Sequence, residues 1–384
     1  MRFEFATTSR IVFGAGTVQQ AGVIAKTLGA RPLLVAGRTL GRAERLLDSL
    51  QQAGVECSLI HIVGEPTTDH VARGLEAARQ NRCDFVISCG GGSVIDAGKA
   101  IAALLTSSGS LFEYLEIVGQ GKTLENEPAP FLAIPTTAGT GAEATRNAVL
   151  ASPEHAVKVS LRSPLMLPRV ALIDPELSCS LPPELTASTG LDALTQLIEP
   201  LVCTRANPVS DGFCREGLPR IARSLRRACE APDFLPARTD LAMASLLSGM
   251  ALANSGLGVV HGFAAPIGGM FPAPHGAVCA ALLPHAMEIN LARLRATAGS
   301  AASIERYVEV AQLLTNRRSA TAEDGVQWVA ELCGDLRIPP LRRYGVAAEH
   351  IPVLVERAAK ANSMKANPAA LTREDLIALL KRSI

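Results

Sequence analysis

Aromatic side chains are scarce in this 384-residue chain: Phe, Tyr and Trp together make up 4% of it. With alanine and leucine abundant, its helices are expected to pack through small side chains. Excess charge of either sign is missing too. Lys and Arg number 37 against 36 Asp and Glu, and the formal net charge is +1. No basic stripe interrupts that balance, so nucleic acid is not an expected partner. None of the 9 cysteines pairs in a CxxC spacing. An odd, scattered set argues against a disulfide framework and for reduced thiols in a cytoplasmic protein. The most apolar stretch, Met243 to Met270, is interrupted by Ser, Asn, His and Gly. It reads as buried helix and loop, not a membrane span. Met1-Arg2-Phe3-Glu4-Phe5 carries an early acid and no apolar core, so no signal peptide is expected.

What is present is a large apolar fraction, 48%, in a chain long enough for one large or two ordinary domains. Short apolar runs recur up to residue 175: Pro32–Ala36, Cys57–Val63, Phe85–Cys89, Phe131–Ile134 and Val170–Ile173. Helix-like stretches such as Arg42–Ala53 and Val71–Gln80 lie between them. That alternation predicts a mostly parallel sheet covered by helices on both faces. Beyond Asp174-Pro175 the strand signal stops, and proline in Leu181-Pro182-Pro183-Glu184 marks the start of a helix. We expect an α/β domain over 1–176 and an all-α domain over 177–384.

Two segments offer backbone donors to an anion. Ser88-Cys89-Gly90-Gly91-Gly92-Ser93-Val94-Ile95-Asp96 follows a strand and opens a helix. Glycines there let backbone N–H groups approach an anion at a helix N-terminus. This is not the GxGxxG pattern, and by itself it is equally a tight strand–helix junction. Asp96 reads as a helix first-turn acid, and Lys99 as a solvated residue one turn on. The second segment, Ile134-Pro135-Thr136-Thr137-Ala138-Gly139-Thr140-Gly141-Ala142-Glu143, offers hydroxyls and backbone donors, although Thr and Gly are also ordinary loop formers. Gly14-Ala15-Gly16-Thr17 reads as a turn.

The stretch from Leu191 to His285 carries the chemistry. Asp192 lies in an apolar run, and His-Gly occurs twice, at His261-Gly262 and His275-Gly276. Taken singly, Asp192 could cap a helix and each imidazole could hydrogen-bond in a core. Together, a carboxylate and two imidazoles suit Zn²⁺ or Fe²⁺, and a buried carboxylate is costly unless paired or metal-bound. Gln196 shares a helix face with Asp192 at four residues' distance. Glu199 is read as structural and His285 as a core or cleft-lining residue.

The pattern Gly190-Leu191-Asp192-Ala193-Leu194-Thr195-Gln196-Leu197-Ile198-Glu199, with His261-Gly262-Phe263-Ala264-Ala265-Pro266-Ile267-Gly268, resembles the iron-containing (group III) alcohol dehydrogenase family. The resemblance implies a dehydroquinate synthase-like fold, with a Rossmann-like N-terminal domain, an all-α C-terminal domain and catalysis in the cleft between them. It implies that Gly91, Gly92 and Ser93 hold the cofactor pyrophosphate, with Asp96, Thr136, Thr137, Thr140 and Lys158 around the cofactor. It implies a metal-dependent NAD(P)H oxidoreductase acting on a small alcohol and its aldehyde or ketone, as a homodimer or higher homo-oligomer. Asp192, His261 and His275 match metal ligands of the family. Gln196 stands where the family usually has a fourth ligand, a histidine, and Ala265 where it often has a further histidine. Three protein ligands with an open position remain a workable catalytic site, for iron or zinc, and Gln196 could still coordinate weakly through its carbonyl oxygen or hydrogen-bond a bound water. At the end of the first run the family's NAD-preferring members carry an Asp. Here Gly37 and Arg38 stand there, which predicts NADP(H), with NAD as the lesser alternative. Competing readings are a metal-independent reductase similar to maleylacetate reductase, against which Asp192 argues, and a dehydroquinate synthase-like lyase, which wants a basic cluster not seen around His261. A nucleotide-binding protein that has lost its metal is the non-catalytic alternative.

Overall fold

The structure is a computed structural model that describes every residue except Met1, Thr39 and Ala156, with Leu40 described in its backbone alone. The chain divides into two compact units, residues 6–180 and Leu181–Ile384, the latter joined by the residues up to Phe5. The N-terminal arm, expected with the α/β part, packs instead on the helical unit, where the Phe5 ring centroid lies 5.8 Å from that of Phe213.

The α/β unit is built on eight strands: β1 (Arg10–Phe13), β2 (Pro32–Ala36), β3 (Ser58–His61), β4 (Phe85–Gly90), β5 (Phe131–Pro135), β6 (Asn147–Ser152), β7 (Val157–Arg162) and β8 (Val170–Ile173). Six of them form one sheet in the order β1-β8-β5-β4-β2-β3, and β6 and β7 form a separate hairpin. Every pairing in the large sheet is parallel. Four of the five apolar runs become β2, β4, β5 and β8, because a parallel strand covered on both faces needs hydrophobic residues at every position, and the fifth, Cys57–Val63, contains the edge strand β3. All four are buried throughout. Helices α1 (Ala21–Ala25) and α2 (Glu44–Gln52) cover the face presenting Leu34, Ile87 and Ile134. Helices α3 (Thr68–Gln80) and α4 (Gly92–Leu105) cover the face presenting Leu33, Val35 and Ala133; α5 (Leu111–Tyr114) comes next. Gly14 and Gly16 take φ of 144° and 76°, so that motif serves a turn, and Gly16 N–H donates to Asp174 Oδ1 at 3.1 Å.

The second unit contains α6 (Pro183–Val202), α7 (Pro208–Glu230), α8 (Leu235–Asn254), α9 (Val259–Met270), α10 (His275–Arg295), α11 (Ala301–Thr315), α12 (Ala322–Asp335), α13 (Ile351–Lys360) and α14 (Arg373–Ser383). It has no strand among the described residues. No single helix there is long and apolar enough to cross a membrane; α8 and α9 reach that composition only together, across a 99° bend.

Candidate active site

Three cofactor segments expected from the sequence meet at the sheet. In the β2–β4 ladder Ala36 pairs with Cys89, and in the β4–β5 ladder Gly90 pairs with Pro135. Gly37-Arg38, Gly91-Gly92-Ser93 and Thr136-Thr137 therefore leave the carboxyl ends of three adjacent strands. Strand order reverses there, since β3 lies on one side of β2 and β4 on the other. Such a switch point is where open α/β sheets bind ligands. The Thr136 N–H donates to Gly90 O at 2.9 Å, fixing one loop to the other. Gly91 caps α4 with no side-chain hydrogen bond, which leaves the first-turn amides and the positive helix end available to an anion. A Cβ on Gly92 would meet Thr140 Oγ1 at 2.7 Å, and one on Gly91 would meet Thr137 Cγ2 at 3.3 Å. Gly91 has φ −74°, so close approach, not a left-handed backbone, sets the need for glycine.

Arg38 is exposed just past β2, and Gly37 O lies 3.0 Å from His61 Nδ1. A Cβ on Gly37 would meet nothing within 4 Å. Thr39, in the same loop, lies outside the described residues.

Three neighbouring side chains are engaged within the protein. Asp96 Oδ2 accepts from the Val149 N–H at 3.0 Å, and Lys158 Nζ pairs with Glu65 Oε2 at 3.0 Å. Asp96 is the fifth residue of α4, past the first turn. Lys99, read from sequence as solvated, is 1% exposed. Its Nζ donates to Ala142 O at 2.7 Å, Thr145 Oγ1 at 2.9 Å and Asn147 O at 2.8 Å. Burial pulls its pKa down to about 8 against the attraction of Asp96 and Glu143. Lys99 thus pins the loop that carries Thr136, Thr137 and Thr140 to α4.

In the helical unit α6, α9 and α10 bring Asp192, His261 and His275 together. Asp192 Oδ1 is 3.6 Å from Nε2 of His261 and 3.6 Å from Nε2 of His275. Asp192 is 1% exposed, and its Oδ1 has no hydrogen-bond partner. An orphaned buried carboxylate oxygen between two imidazole nitrogens suits a cation, since unpaired burial is otherwise costly. The residues therefore fit a divalent ion. Burial resists ionisation of Asp192, but His275, His261 and Gln196 beside it hold its carboxyl below the usual range. His275 is the accessible member, its side chain 33% exposed against 7% for His261.

Gly276 explains how His275 reaches Asp192. A Cβ there would meet Ser188 O at 2.3 Å, so only glycine lets the start of α10 lie this close to the α6 backbone. Gln196 is buried one turn beyond Asp192, and its Oε1 accepts from Ser248 Oγ at 3.3 Å. Ala265, one turn beyond His261, is exposed and offers no donor atom.

Three features were not anticipated from sequence. Glu199 is not a bystander: its Oε2 sits 2.7 Å from His261 Nδ1, and its Oε1 accepts from the Val260 N–H at 2.8 Å. A spacing of seven from Asp192 returns to nearly the same helix face, which was the available signal. Cys279 Sγ lies 3.9 Å from His261 Nε2 and 3.8 Å from His275 Nε2. It falls one turn after His275, and that spacing too was readable. Asn367 accepts at Oδ1 from the Val259 N–H at 3.1 Å and pairs with Asn290, securing the start of α9. His285 lies apart from this cluster, on a groove of about 780 Å³ that Pro284, Glu288, Gln327, Cys333 and Arg382 also line.

Residues 8–175 match the iron-containing alcohol dehydrogenase family and residues 186–384 its Fe-containing C-terminal domain. A 1,3-propanediol dehydrogenase of Klebsiella pneumoniae is 34% identical, over 99% of this chain and 98% of that one. The crystal structure of a 1,3-propanediol oxidoreductase superposes with a TM-score of 0.92 at 34% identity, covering 100% of both chains. A sulfoacetaldehyde reductase from Bifidobacterium kashiwanohense, solved in complex with NAD⁺, gives a TM-score of 0.88 at 26% identity over 100% of this chain and 99% of that one. The chain belongs to the iron-containing alcohol dehydrogenase family. It is an NAD(P)-dependent oxidoreductase that interconverts alcohols and their aldehydes, in a family that uses a divalent metal.

Proposed function

We propose that Asp192, His261 and His275 hold the divalent metal and that the chain prefers NADP(H) for reduction of a small aldehyde. The orphaned Oδ1 of Asp192, buried between two imidazoles, carries this reading. When bound, the metal supplies Lewis acidity toward the substrate oxygen and the nicotinamide supplies hydride chemistry. The chain supplies position and charge. Glu199 holds the His261 ring through Nδ1, so that Nε2 points at Asp192. Asp192 offsets cationic charge inside an apolar helix bundle. In the α/β unit the amides of Gly92 and Ser93 and the α4 dipole receive the pyrophosphate, with Thr136, Thr137 and Thr140 beside it. Asp96 and Lys158, each held by a protein partner, frame that pocket and keep its loops in place. Gly37 presents no acid to a 2′-phosphate, and the exposed Arg38 can pair with it. Gln196 adjoins the metal without being needed to hold it. Nine free cysteines support action in the reducing cytoplasm. A homodimer or higher homo-oligomer completes the proposal, with exposed Phe3 and Phe5 as apolar surface available to a second copy.

The test joins metal analysis by mass spectrometry to NADPH oxidation over a panel of aldehydes. The wild type should carry about one metal per chain and reduce small aldehydes. His275→Ala should lose both metal and activity, while Gln196→Ala should lose less of each. Full-rate reduction by a wild type that neither carries nor takes up metal would sink the assignment.

A further inference from the structure

We infer that Cys279 supplies the fourth donor to the metal, the part that Gln196 does not play, and that the resulting Asp/His/His/Cys set selects zinc over iron. This rests on the reading of Asp192, His261 and His275 as ligands.

The geometry comes first. One donor atom from each of Asp192, His261, His275 and Cys279 lies within 4.8 Å of all the others. The separations to the imidazole nitrogens are 3.6 Å from the carboxylate and 3.8 and 3.9 Å from the sulfur. Donors at tetrahedral corners around a zinc ion, with bonds of roughly 2.0–2.3 Å, stand about 3.3–3.8 Å apart. Three of these four spacings fall in that range and the fourth, 3.9 Å from the sulfur to His261, lies just beyond it, while the two nitrogen–oxygen distances are too long for hydrogen bonds. The buried Oδ1 of Asp192, unpartnered, is the second and independent sign of an ion at the centre.

The local structure then distinguishes the two candidates for the fourth position. Cys279 is one turn after His275 on α10, so both side chains leave the same face. It is fully buried, with its sulfur beside both imidazole nitrogens. Gln196 is engaged at its amide oxygen, which accepts from Ser248 Oγ at 3.3 Å. An amide nitrogen does not bind a metal, and the oxygen that could is turned to the serine.

The donor chemistry sets the consequence. A thiolate is a soft ligand that suits zinc, whereas iron(II) in such enzymes is held by imidazole and carboxylate. Binding displaces the thiol proton to solvent, since the thiolate is the ligand. Asp192 and the Cys279 thiolate together then neutralise a divalent charge, and the substrate oxygen would enter as a fifth donor.

Cobalt(II) is the probe, because thiolate coordination adds a charge-transfer band in the near ultraviolet to the visible bands that any cobalt site shows. Wild type loaded with cobalt should show both, and Gln196→Ala should keep both. Cys279→Ser should lose the near-ultraviolet band, keep the visible ones, and bind cobalt more weakly by at least roughly 100-fold, the upper end of what removing even an outer-shell partner costs. Protein grown with equimolar iron and zinc should carry zinc, and Gln196→His with Cys279→Ala should shift it toward iron. Visible bands without the near-ultraviolet band in wild type would overturn the role of Cys279 and leave the other three ligands standing. Absence of both would instead overturn the metal site itself. The wild-type spectrum decides the matter even if a variant does not fold.

Discussion

Glu199 is the residue where sequence and structure part most clearly. It is 5% exposed, yet it accepts from two donors around His261. A carboxylate behind a ligating histidine fixes the ring and raises its basicity, and loss of such partners typically costs about 10–100-fold in metal affinity. Glu199→Gln should fall in that range when metal Kd is measured by chelator competition, because one amide oxygen cannot serve both donors. NADPH affinity should not change. An unaltered metal Kd would show that the His261 ring is held by packing alone. The cluster of Asp192, His261 and His275 was legible in the sequence, because these are polar residues in apolar surroundings. Cys279 and Glu199 were not, because a cysteine and a glutamate draw no attention unless helical spacing from a known ligand is followed. Lys99 misled for a related reason: a lysine within an otherwise apolar helix is read as solvated, and only the loop folded over it supplies the three acceptors that let it be buried.

Among the elements, the four central strands and the edge strand β3 were readable, and β1, β6 and β7 were not. β2, β4, β5 and β8 are uninterrupted apolar runs, as a doubly covered parallel strand requires. β1 is four residues long and opens with an exposed Arg10, and the β6–β7 hairpin alternates buried with half-buried positions. Neither pattern stands out from a loop. The readable strands were nonetheless enough to place the cofactor segments, because the loops leaving the strands of a parallel sheet all start at its carboxyl edge. The end of β2 carries a direct test. Gly37 has room for a side chain, so Gly37→Asp should change charge without disturbing the fold. The new carboxylate would repel a 2′-phosphate and accept from a ribose diol. The ratio of kcat/KM for NADPH to that for NADH should exceed one in wild type and fall by at least roughly tenfold in the variant, a change of about 1.4 kcal/mol. A wild type already faster with NADH would refute the preference for NADP(H).

For the whole molecule, the proposed metal residues fall in one compact unit and the proposed cofactor residues in the other, so each ligand should stabilise a different part of the chain. In the helical unit the proposed ion ties α6, α9 and α10 through Asp192, His261 and His275, with the backbone of α9 held further by Glu199 and Asn367. A ligand present at 100 times its Kd stabilises the state that binds it by about 2.7 kcal/mol, or nearly 100-fold in the opening equilibrium. Hydrogen exchange reads that directly. Stripping the metal with a chelator should speed exchange in α6, α9 and α10 by up to that factor, most at the starts of α9 and α10. Amides of β2, β4 and β5 should be unaffected, because their hydrogen bonds close within the other unit. Saturating NADPH should do the reverse, slowing exchange at the start of α4 and in the loop after β5. Readding zinc should restore the helical protection, and in Asp192→Ala it should restore none. Equal acceleration throughout the chain on chelation would mean that the ion acts on one cooperative body. Unchanged exchange in α6, α9 and α10 would mean that no ion binds among them, whatever the donor atoms suggest.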